Sequence, residues 1–260
     1  MNLPENTVFF DTCDSTNRVA KELAKEGAPH GTAVVSNEQT AGRGRMGRSF
    51  YSPKGNGLYV SFVLRPAAPP GEDQLLTCFA ATAVRRALEP FAEEATGRKP
   101  QIKWVNDILI RRKKVSGILA EAPKSATGAI ILGIGVNLFG EDDFPAEIAD
   151  SAGVVFPKTY LATLPGGGNE AEREELRGRV LDAIVREVRT WDGGPFPHEM
   201  IEEYQEHSFL LGRSIRFTLN GGDYYGVVTS VLENGNLMVV LPEGKHVSLS
   251  SGEVTLHHGI

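Results

Sequence analysis

Cysteine is scarce: Cys13 and Cys78 are the only two in 260 residues. So small a number excludes a disulfide framework and a Cys-rich zinc site, and it fits a reducing compartment. Cys13 reads as a small buried filler. Apolar residues make up 41% of the chain, yet no run of them approaches a membrane span. The opening Met1-Asn2-Leu3-Pro4-Glu5-Asn6 has neither the basic stretch nor the apolar core of a secretory leader. A cytoplasmic protein without a membrane partner is therefore expected. Neither a G-x-x-x-x-G-K-[ST] loop nor the H-R-D and D-F-G motifs occur, so P-loop and protein-kinase chemistries are excluded. Internal repeats and coiled-coil heptads are absent too.

Acidic residues are missing from one particular place. None occurs between Glu38 and Glu72, although the whole chain carries a net charge of −6. Within that gap stands Gly42-Arg43-Gly44-Arg45-Met46-Gly47-Arg48, with Lys54 and Arg65 beyond it. Glycine frees the backbone for positive φ, so such a loop can gather N–H groups and planar guanidiniums around an anion. A basic island in an acidic chain points to a local anionic ligand and not to a polyanion surface. Gly42, Gly44 and Gly47 formally match G-x-G-x-x-G. A dinucleotide fold would need a helix directly afterwards and an acid about 20 residues on. Phe50-Tyr51-Ser52-Pro53-Lys54-Gly55-Asn56-Gly57 cannot supply that helix.

The remaining pattern alternates strands and helices. Thr7 to Phe10, Thr32 to Ser36, Leu58 to Leu64, Ile102 to Val105 and Ala129 to Val136 read as strands. Ile108 to Ile110 and Val115 to Ala120 flank Arg111-Arg112-Lys113-Lys114 and suggest a hairpin with a cationic tip. A first helix is capped by Ser15, Thr16 or Asn17 and closed by Gly27. A second runs from Asp73 to Leu88 and stops at Pro90. Residues 145–168 read as irregular, and helices follow over 170–190 and 199–206. After Gly212 the texture changes to five short strands divided by Asn/Gly turns, as in a small β-barrel. Domains of 1–211 and 212–260 are expected.

Five segments then occur in order: Asp14-Ser15-Thr16-Asn17; Gln39-Thr40-Ala41-Gly42-Arg43-Gly44-Arg45; Lys103-Trp104-Val105-Asn106-Asp107; Lys114-Val115-Ser116-Gly117-Ile118-Leu119; and Gly133-Ile134-Gly135-Val136-Asn137. Together they resemble the biotin protein ligases across essentially the entire chain. The resemblance implies an α+β fold, in which a mixed β-sheet with helices packed on it is followed by a Src-homology-3-like barrel. It implies ATP-dependent conversion of biotin to biotinoyl-5′-AMP and transfer to a lysine of a biotin carboxyl carrier protein, that of acetyl-CoA carboxylase or a related carboxylase. ATP and biotin are then substrates, Mg²⁺ accompanies ATP, and a homodimer is expected. The start of the chain resembles the monofunctional type without a DNA-binding domain. Three departures stand out. Val105 occupies a position where the family usually has Pro, and a strand would accommodate it. Phe50 occupies the region after the Gly/Arg loop where some members have an aromatic, often Trp, that packs on adenine. His257 takes the place of a barrel Arg that reaches the active site in some members.

The chemistry brings a carboxylate against a triphosphate, so cations are needed. The resemblance selects Lys114 from its run of four cations. Arg43 and Lys114 are expected to hold the carboxylate and α-phosphate, with Arg45 and Arg48 on phosphate and loop closure. Arg43, Arg45, Lys114 and Asp107 form the candidate catalytic set. Ser15, Thr16, Asn17 and Gln39, with Gly42, Gly44 and Gly117 beside the cations, are expected around biotin, whose ureido ring needs donors and acceptors. Phe50, Lys103, Trp104, Asn106 and Asn137 are candidate nucleotide contacts. Asp107 has three readings: a magnesium contact shared with ATP oxygens, a base for the acceptor lysine, or an ion pair with Lys103. No tightly bound metal is expected. Residues 42–54 are expected to be mobile without ligand and to order around the adenylate. Two other readings compete: a lipoate-type acyl ligase, and a nucleic-acid-binding module, against which the acidic isoelectric point of about 5.6 argues. The chain has no Met-Lys-Met acceptor motif, so it is not the carrier itself.

Overall fold

The computed structural model describes residues 3–67, 74–126, 128–219, 221–252 and 254–256. His257, Asp73 and Asn220 lie outside the described residues. Seven strands form the main sheet: β1 (Thr7–Phe10), β2 (Thr32–Ser36), β3 (Gly57–Leu64), β4 (Gln101–Lys103), β5 (Asp107–Ile110), β6 (Lys113–Glu121) and β7 (Ile130–Asn137). Their order is β1-β2-β3-β7-β6-β5-β4. Only β1 and β2 pair in parallel, so the sheet is mixed.

Alternation along the strands assigns each residue to a face. Leu58, Val60, Phe62 and Leu64 of β3 join Ile130, Leu132, Ile134 and Val136 of β7 in the larger core. Helices α2 (Leu75–Thr96) and α4 (Glu170–Val188) cover that face, with Val84, Leu88, Val180 and Ile184 fully buried. On the opposite face α1 (Thr16–Lys25) packs Ala20 and Ala24 on Val34, Val63 and Ile131. Every residue of β2 and β3 is buried, so these strands lack the apolar–polar alternation of a strand with one face in water.

Two expectations about α2 and β4 change. Pro90 does not stop α2, which continues to Thr96 and ends where Gly97 takes φ 63°. Pro90 is exposed, while Leu88, Phe91 and Ala92 on either side of it are buried, so packing outweighs the lost N–H. Val105 is not in a strand: Trp104-Val105-Asn106 is the turn from β4 to β5, and the Trp104–Val105 peptide is cis. The cationic hairpin is present, with Arg111 and Arg112 at φ 51° and 65° in a two-residue turn. The irregular region over 145–168 contains one short helix, α3 (Lys158–Leu161).

After α5 (His198–Glu206) the chain runs along the outer edge of β4. The N–H of Ile102 donates to the His207 carbonyl at 2.8 Å, and that of Phe209 to the Ile102 carbonyl at 2.7 Å. This edge is therefore covered. The second sheet follows: β8 (Ser214–Leu219), β9 (Gly222–Val231), β10 (Leu237–Val240), β11 (His246–Leu249) and β12 (Val254–Leu256), antiparallel in the order β11-β10-β9-β8-β12. It shares the larger core, through Ile215, Phe217, Val228 and Leu237. Its turn at Gly235 (φ 80°) accepts a hydrogen bond from the Trp104 indole N–H at 3.0 Å. Trp104→Phe keeps an aromatic ring but leaves this buried carbonyl without its partner. Urea unfolding should show a loss of about 1–2 kcal/mol.

Candidate active site

Helix α1 begins at the site, and its first turn is not self-capped. Ser15 is extended at the N-cap position but its hydroxyl makes no capping bond. The Thr16 N–H instead donates to Gln39 Oε1 at 2.9 Å, and the Thr16 hydroxyl lies 3.0 Å from the same oxygen. Gln39 Nε2 donates to Ser52 Oγ at 3.0 Å, which donates to the Phe50 carbonyl at 2.9 Å. One side chain thus ties the helix end to the segment leaving the Gly/Arg loop. Asn17 is buried with Ser61 Oγ 2.6 Å from its Oδ1, and its Nδ2 donates to Glu121 Oε2 at 2.8 Å.

The floor is a hollow in the sheet. Ser61, Gly133 and Leu119 form one cross-strand row, and Tyr59, Gly135 and Gly117 the next. A Cβ at Gly133 would lie 2.1 Å from Asn17 Oδ1, and one at Gly135 would lie 2.5 Å from Phe50 Cε1. Glycine is therefore required for the Asn17 amide and the Phe50 ring to rest on the sheet. The chamber left among Ser15, Thr16, Gln39, Arg43 and Gly117 is about 50 Å³, small beside ligand pockets of roughly 300–1,000 Å³. Phe50 is one of its walls and also faces the outer clefts, so the ring separates the two spaces.

The Gly/Arg loop is a small hairpin. Gly44 N–H donates to the Arg48 carbonyl at 2.8 Å, Phe50 N–H to the Gly42 carbonyl at 3.0 Å, and Arg43 bridges to Ser49. With Arg48 N–H donating to the Arg45 carbonyl at 3.2 Å, three of its N–H groups are used internally. Gly42 lines no part of the chamber; a Cβ there would lie 2.4 Å from the Phe50 carbonyl oxygen, so its smallness serves the hairpin's closure. Arg43 and Arg45 reach the chamber. Arg45 Nη1 donates to Asn106 Oδ1 at 3.2 Å, and Asn106 Nδ2 donates to the Ile118 carbonyl at 2.9 Å, holding the β4–β5 turn against β6.

Lys114 reaches the site through a bulge. Between Ile108 and Leu109 the β5–β6 register slips, so Ile108 faces Ser116 while Leu109 faces Lys114. The extra residue, Val115, turns Lys114 onto the face of Gly117, where its Nζ would lie 3.2 Å from a Cβ on that glycine. Lys114 Nζ is 2.6 Å from Asp107 Oδ1. That oxygen is buried and meets no hydrogen-bond geometry, so the contact is an ion pair without an aligned bond. Asp107 therefore pairs with Lys114 and not with Lys103. Arg48, Lys103 and Asn106 join this pair around an outer cleft of about 220 Å³ that Val254 and Thr255 of β12 close. Asn137 and Arg112 line a neighbouring one of about 470 Å³. Trp104 edges the first cleft but is 5% exposed and packed under Gly235. A roomier, more apolar groove of about 800 Å³ beside Trp191 and Phe196 shares only Arg45 with the arginine and lysine set.

The expected biotin residues, except Gly42, surround one chamber. Sequence reasoning missed Ser61, Glu121 and Ser52 as partners, and Gly133 and Gly135 as floor. Alternating glycines inside an apolar strand were the available signal for the floor.

With this geometry, comparison with known proteins is decisive. The profile of the biotin/lipoate A/B protein ligase family matches residues 9–137, and that of the biotin protein ligase C-terminal domain matches 210–256. The bifunctional ligase/repressor BirA of Bacillus subtilis is 34% identical over 244 residues, which are 92% of this chain and 71% of that protein. The chain belongs to the biotin protein ligase family. The biotin–[acetyl-CoA-carboxylase] ligase of Paracoccus denitrificans is 32% identical, covering 90% of this chain and 94% of its own. The structure of the Aquifex aeolicus biotin protein ligase in complex with biotin and ATP superposes with a TM-score of 0.72 at 29% identity, over 98% of this chain and 100% of that one.

Within this member of the family, Glu121 also carries a pH signature. Burial pushes its carboxyl up, but hydrogen bonds from Lys21 and Asn17 and the charges of Lys21 and Arg43 outweigh that, holding it below its ordinary 4.5. The ionised form therefore favours folding. Its contribution is complete above that ordinary value and is lost as pH falls through the folded value. Glu121→Gln should flatten the fall in stability on acidification below about pH 4.5, as read from urea midpoints across the acid range.

Proposed function

We propose that this chain activates biotin with ATP and transfers it to a lysine of the biotin carboxyl carrier protein of acetyl-CoA carboxylase or a related carboxylase. The observation that carries the reading is the meeting of two unlike halves on one sheet face. Thr16, Asn17 and Ser61, all buried, and the half-buried Gln39 form a hydrogen-bonded array of donors and acceptors against the floor of Gly117, Gly133 and Gly135. Arg43, Arg45 and Lys114 line the same chamber. A ureido ring suits the first half and a carboxylate meeting a phosphate the second.

In the first step a biotin carboxylate oxygen forms a bond to the α-phosphorus and pyrophosphate leaves with the electrons of the broken P–O bond. Lys114 and Arg43 offset the charge as the two anions approach, and Arg45 and Arg48 hold phosphate oxygens. Phe50 moves off the glycines to admit the ligand and offers its ring to adenine, with Lys103, Asn106, Asn137 and the edge of Trp104 around the nucleotide. In the second step the neutral lysine amine attacks the acyl carbon and AMP leaves, and the nitrogen gives up its proton. Asp107 stands where it can take that proton once Lys114 turns to phosphate. Magnesium arrives on ATP. Among the described residues no group of three or more His, Cys, Asp or Glu side chains could hold a metal by itself, and Asp107 is the carboxylate an ATP-borne ion would meet.

Residues 1–211 supply the catalytic domain and 212–260 the domain that closes the outer cleft. The open edge of β1, where Val8 and Phe9 are exposed, offers a surface for a homodimer. No helix among the described residues is long and apolar enough to cross a membrane, and two free cysteines suit the cytoplasm.

The family profile also covers lipoate ligases. A dithiolane ring has no strong donors, so it would leave the Thr16 and Gln39 array unmatched, at about 1–3 kcal/mol per buried polar group. Exchange of labelled pyrophosphate into ATP tests the reading. It should require biotin and not respond to lipoate, and Lys114→Ala should lower it by about 10²–10³-fold. Exchange driven by lipoate instead would move the chain to the rival chemistry.

A further inference from the structure

We propose that Tyr204, which lines neither the chamber nor the outer clefts, is a positioning residue for the nucleotide: by donating to the Val105 carbonyl it turns the Val105–Asn106 peptide so that the Asn106 N–H serves the α-phosphate. The proposal rests on the ATP-dependent reading above and adds a backbone donor and the side chain that aims it.

The β4–β5 turn is pinned residue by residue. Trp104, Val105 and Asn106 stand outside the ladder, which pairs Lys103 with Asp107. Trp104 is anchored to the second sheet through the Gly235 carbonyl. Asn106 is anchored to β6: its carbonyl accepts from the Ile118 N–H at 3.0 Å, and its Nδ2 donates to the Ile118 carbonyl at 2.9 Å. Between these two anchors, the Val105 carbonyl accepts from the Tyr204 hydroxyl at 3.2 Å. Tyr204 is 0% exposed. Burial pushes its phenol well above the ordinary 10, so it keeps the hydrogen that it donates. Helix α5 is itself held in place. Gln205 Oε1 receives the Val231 N–H at 3.0 Å, and Arg85 and Arg86 donate to Glu203 at 3.1 and 2.8 Å.

A trans peptide points its C=O and its N–H in opposite directions. Val105 and Tyr204 belong to the core on the α2 side of the sheet. The Asn106 N–H therefore points to the other side, where Gly117 floors the chamber. It has no acceptor among the described residues. Gly44, Arg45, Phe50, Asn106 and Lys114 line both the chamber and the outer cleft of about 220 Å³, so Asn106 stands where the two spaces meet. In the proposed function that junction is where the carboxylate reaches the α-phosphorus. A fixed N–H aimed there adds a donor to the charges of Arg45 and Lys114. Without the phenol hydroxyl the buried Val105 carbonyl has no donor, and the peptide turns to find one, carrying the N–H away.

Tyr204→Phe removes the hydroxyl and keeps the ring in the core. Ile184→Val, in the fully buried part of α4 and remote from the site, controls for a general loss of packing. Both full-length variants are compared with wild type by biotin-dependent exchange of labelled pyrophosphate into ATP and by calorimetric titration with biotin alone, at a temperature where each is folded. Tyr204→Phe should lower kcat/KM for ATP by about ten-fold and leave the Kd for biotin within about two-fold, while Ile184→Val changes neither. An unchanged kcat/KM for ATP in Tyr204→Phe would overturn the proposal. So would an equal loss in Ile184→Val, or a matching loss of biotin affinity in Tyr204→Phe, since either marks a structural effect on the whole site. A wild-type chain without biotin-dependent exchange would instead remove the ATP-dependent reading, and this proposal with it.

Discussion

Where three side chains are missing, the rest of the site takes its shape. Gly133 lets the Asn17 amide lie on the sheet, Gly135 lets Phe50 lie beside it, and Gly117 gives Lys114 its path across β6. Any Cβ in the first two places would meet a neighbour closer than van der Waals contact allows. The sheet is otherwise densely filled: every residue of β3 is buried. A hollow in so dense a layer is costly in lost contacts, and it exists because helix α1 and the Gly/Arg hairpin supply the atoms that line it. The hollow couples the first turn of α1, the hairpin and strands β3, β6 and β7 into one unit.

Charge is distributed across that unit in a matched way. The chain is acidic overall, yet Arg43, Arg45, Arg48, Lys103 and Lys114 gather on one side. Two carboxylates attend them, Glu121 beside Arg43 and Asp107 against Lys114. Each is partly shielded from solvent, so each interaction is stronger than a surface ion pair of the same length. In the proposed function, incoming carboxylate and phosphate groups would compete with the resident carboxylates for the same cations. Without ligand the site is held together by these ion pairs.

Much of this was legible in the sequence, for reasons that differ by residue. The Gly/Arg loop stands out because its composition is unusual over a short span. The β5–β6 hairpin follows from two apolar runs around Arg111 and Arg112. Lys114 was not separable from Arg111, Arg112 and Lys113 by pattern alone, because a bulge at Val115 decides which cation faces inward, and a bulge leaves no compositional trace. Pro90 misled because local propensity yields to the burial of Leu88 and Phe91. Val105 looked like strand sequence and is turn. Glu121 and Ser61 were invisible as partners of Asn17: they lie 104 and 44 residues away in the chain and meet it only after the sheet has formed. The family resemblance carried the functional reading further than composition could, since it fixed the order of five otherwise weak segments.

In the proposed function the polar array takes the ureido ring, and the cations take the carboxylate and phosphate. A crystal structure of the chain with biotin and a non-hydrolysable ATP analogue tests this division most directly. The ureido ring should lie against Thr16 and Gln39, with the valerate carboxylate toward Arg43 and Lys114 and Phe50 displaced from Gly135. A ligand bound in the reverse sense, with its carboxylate at Thr16 and its ring among the cations, would contradict it.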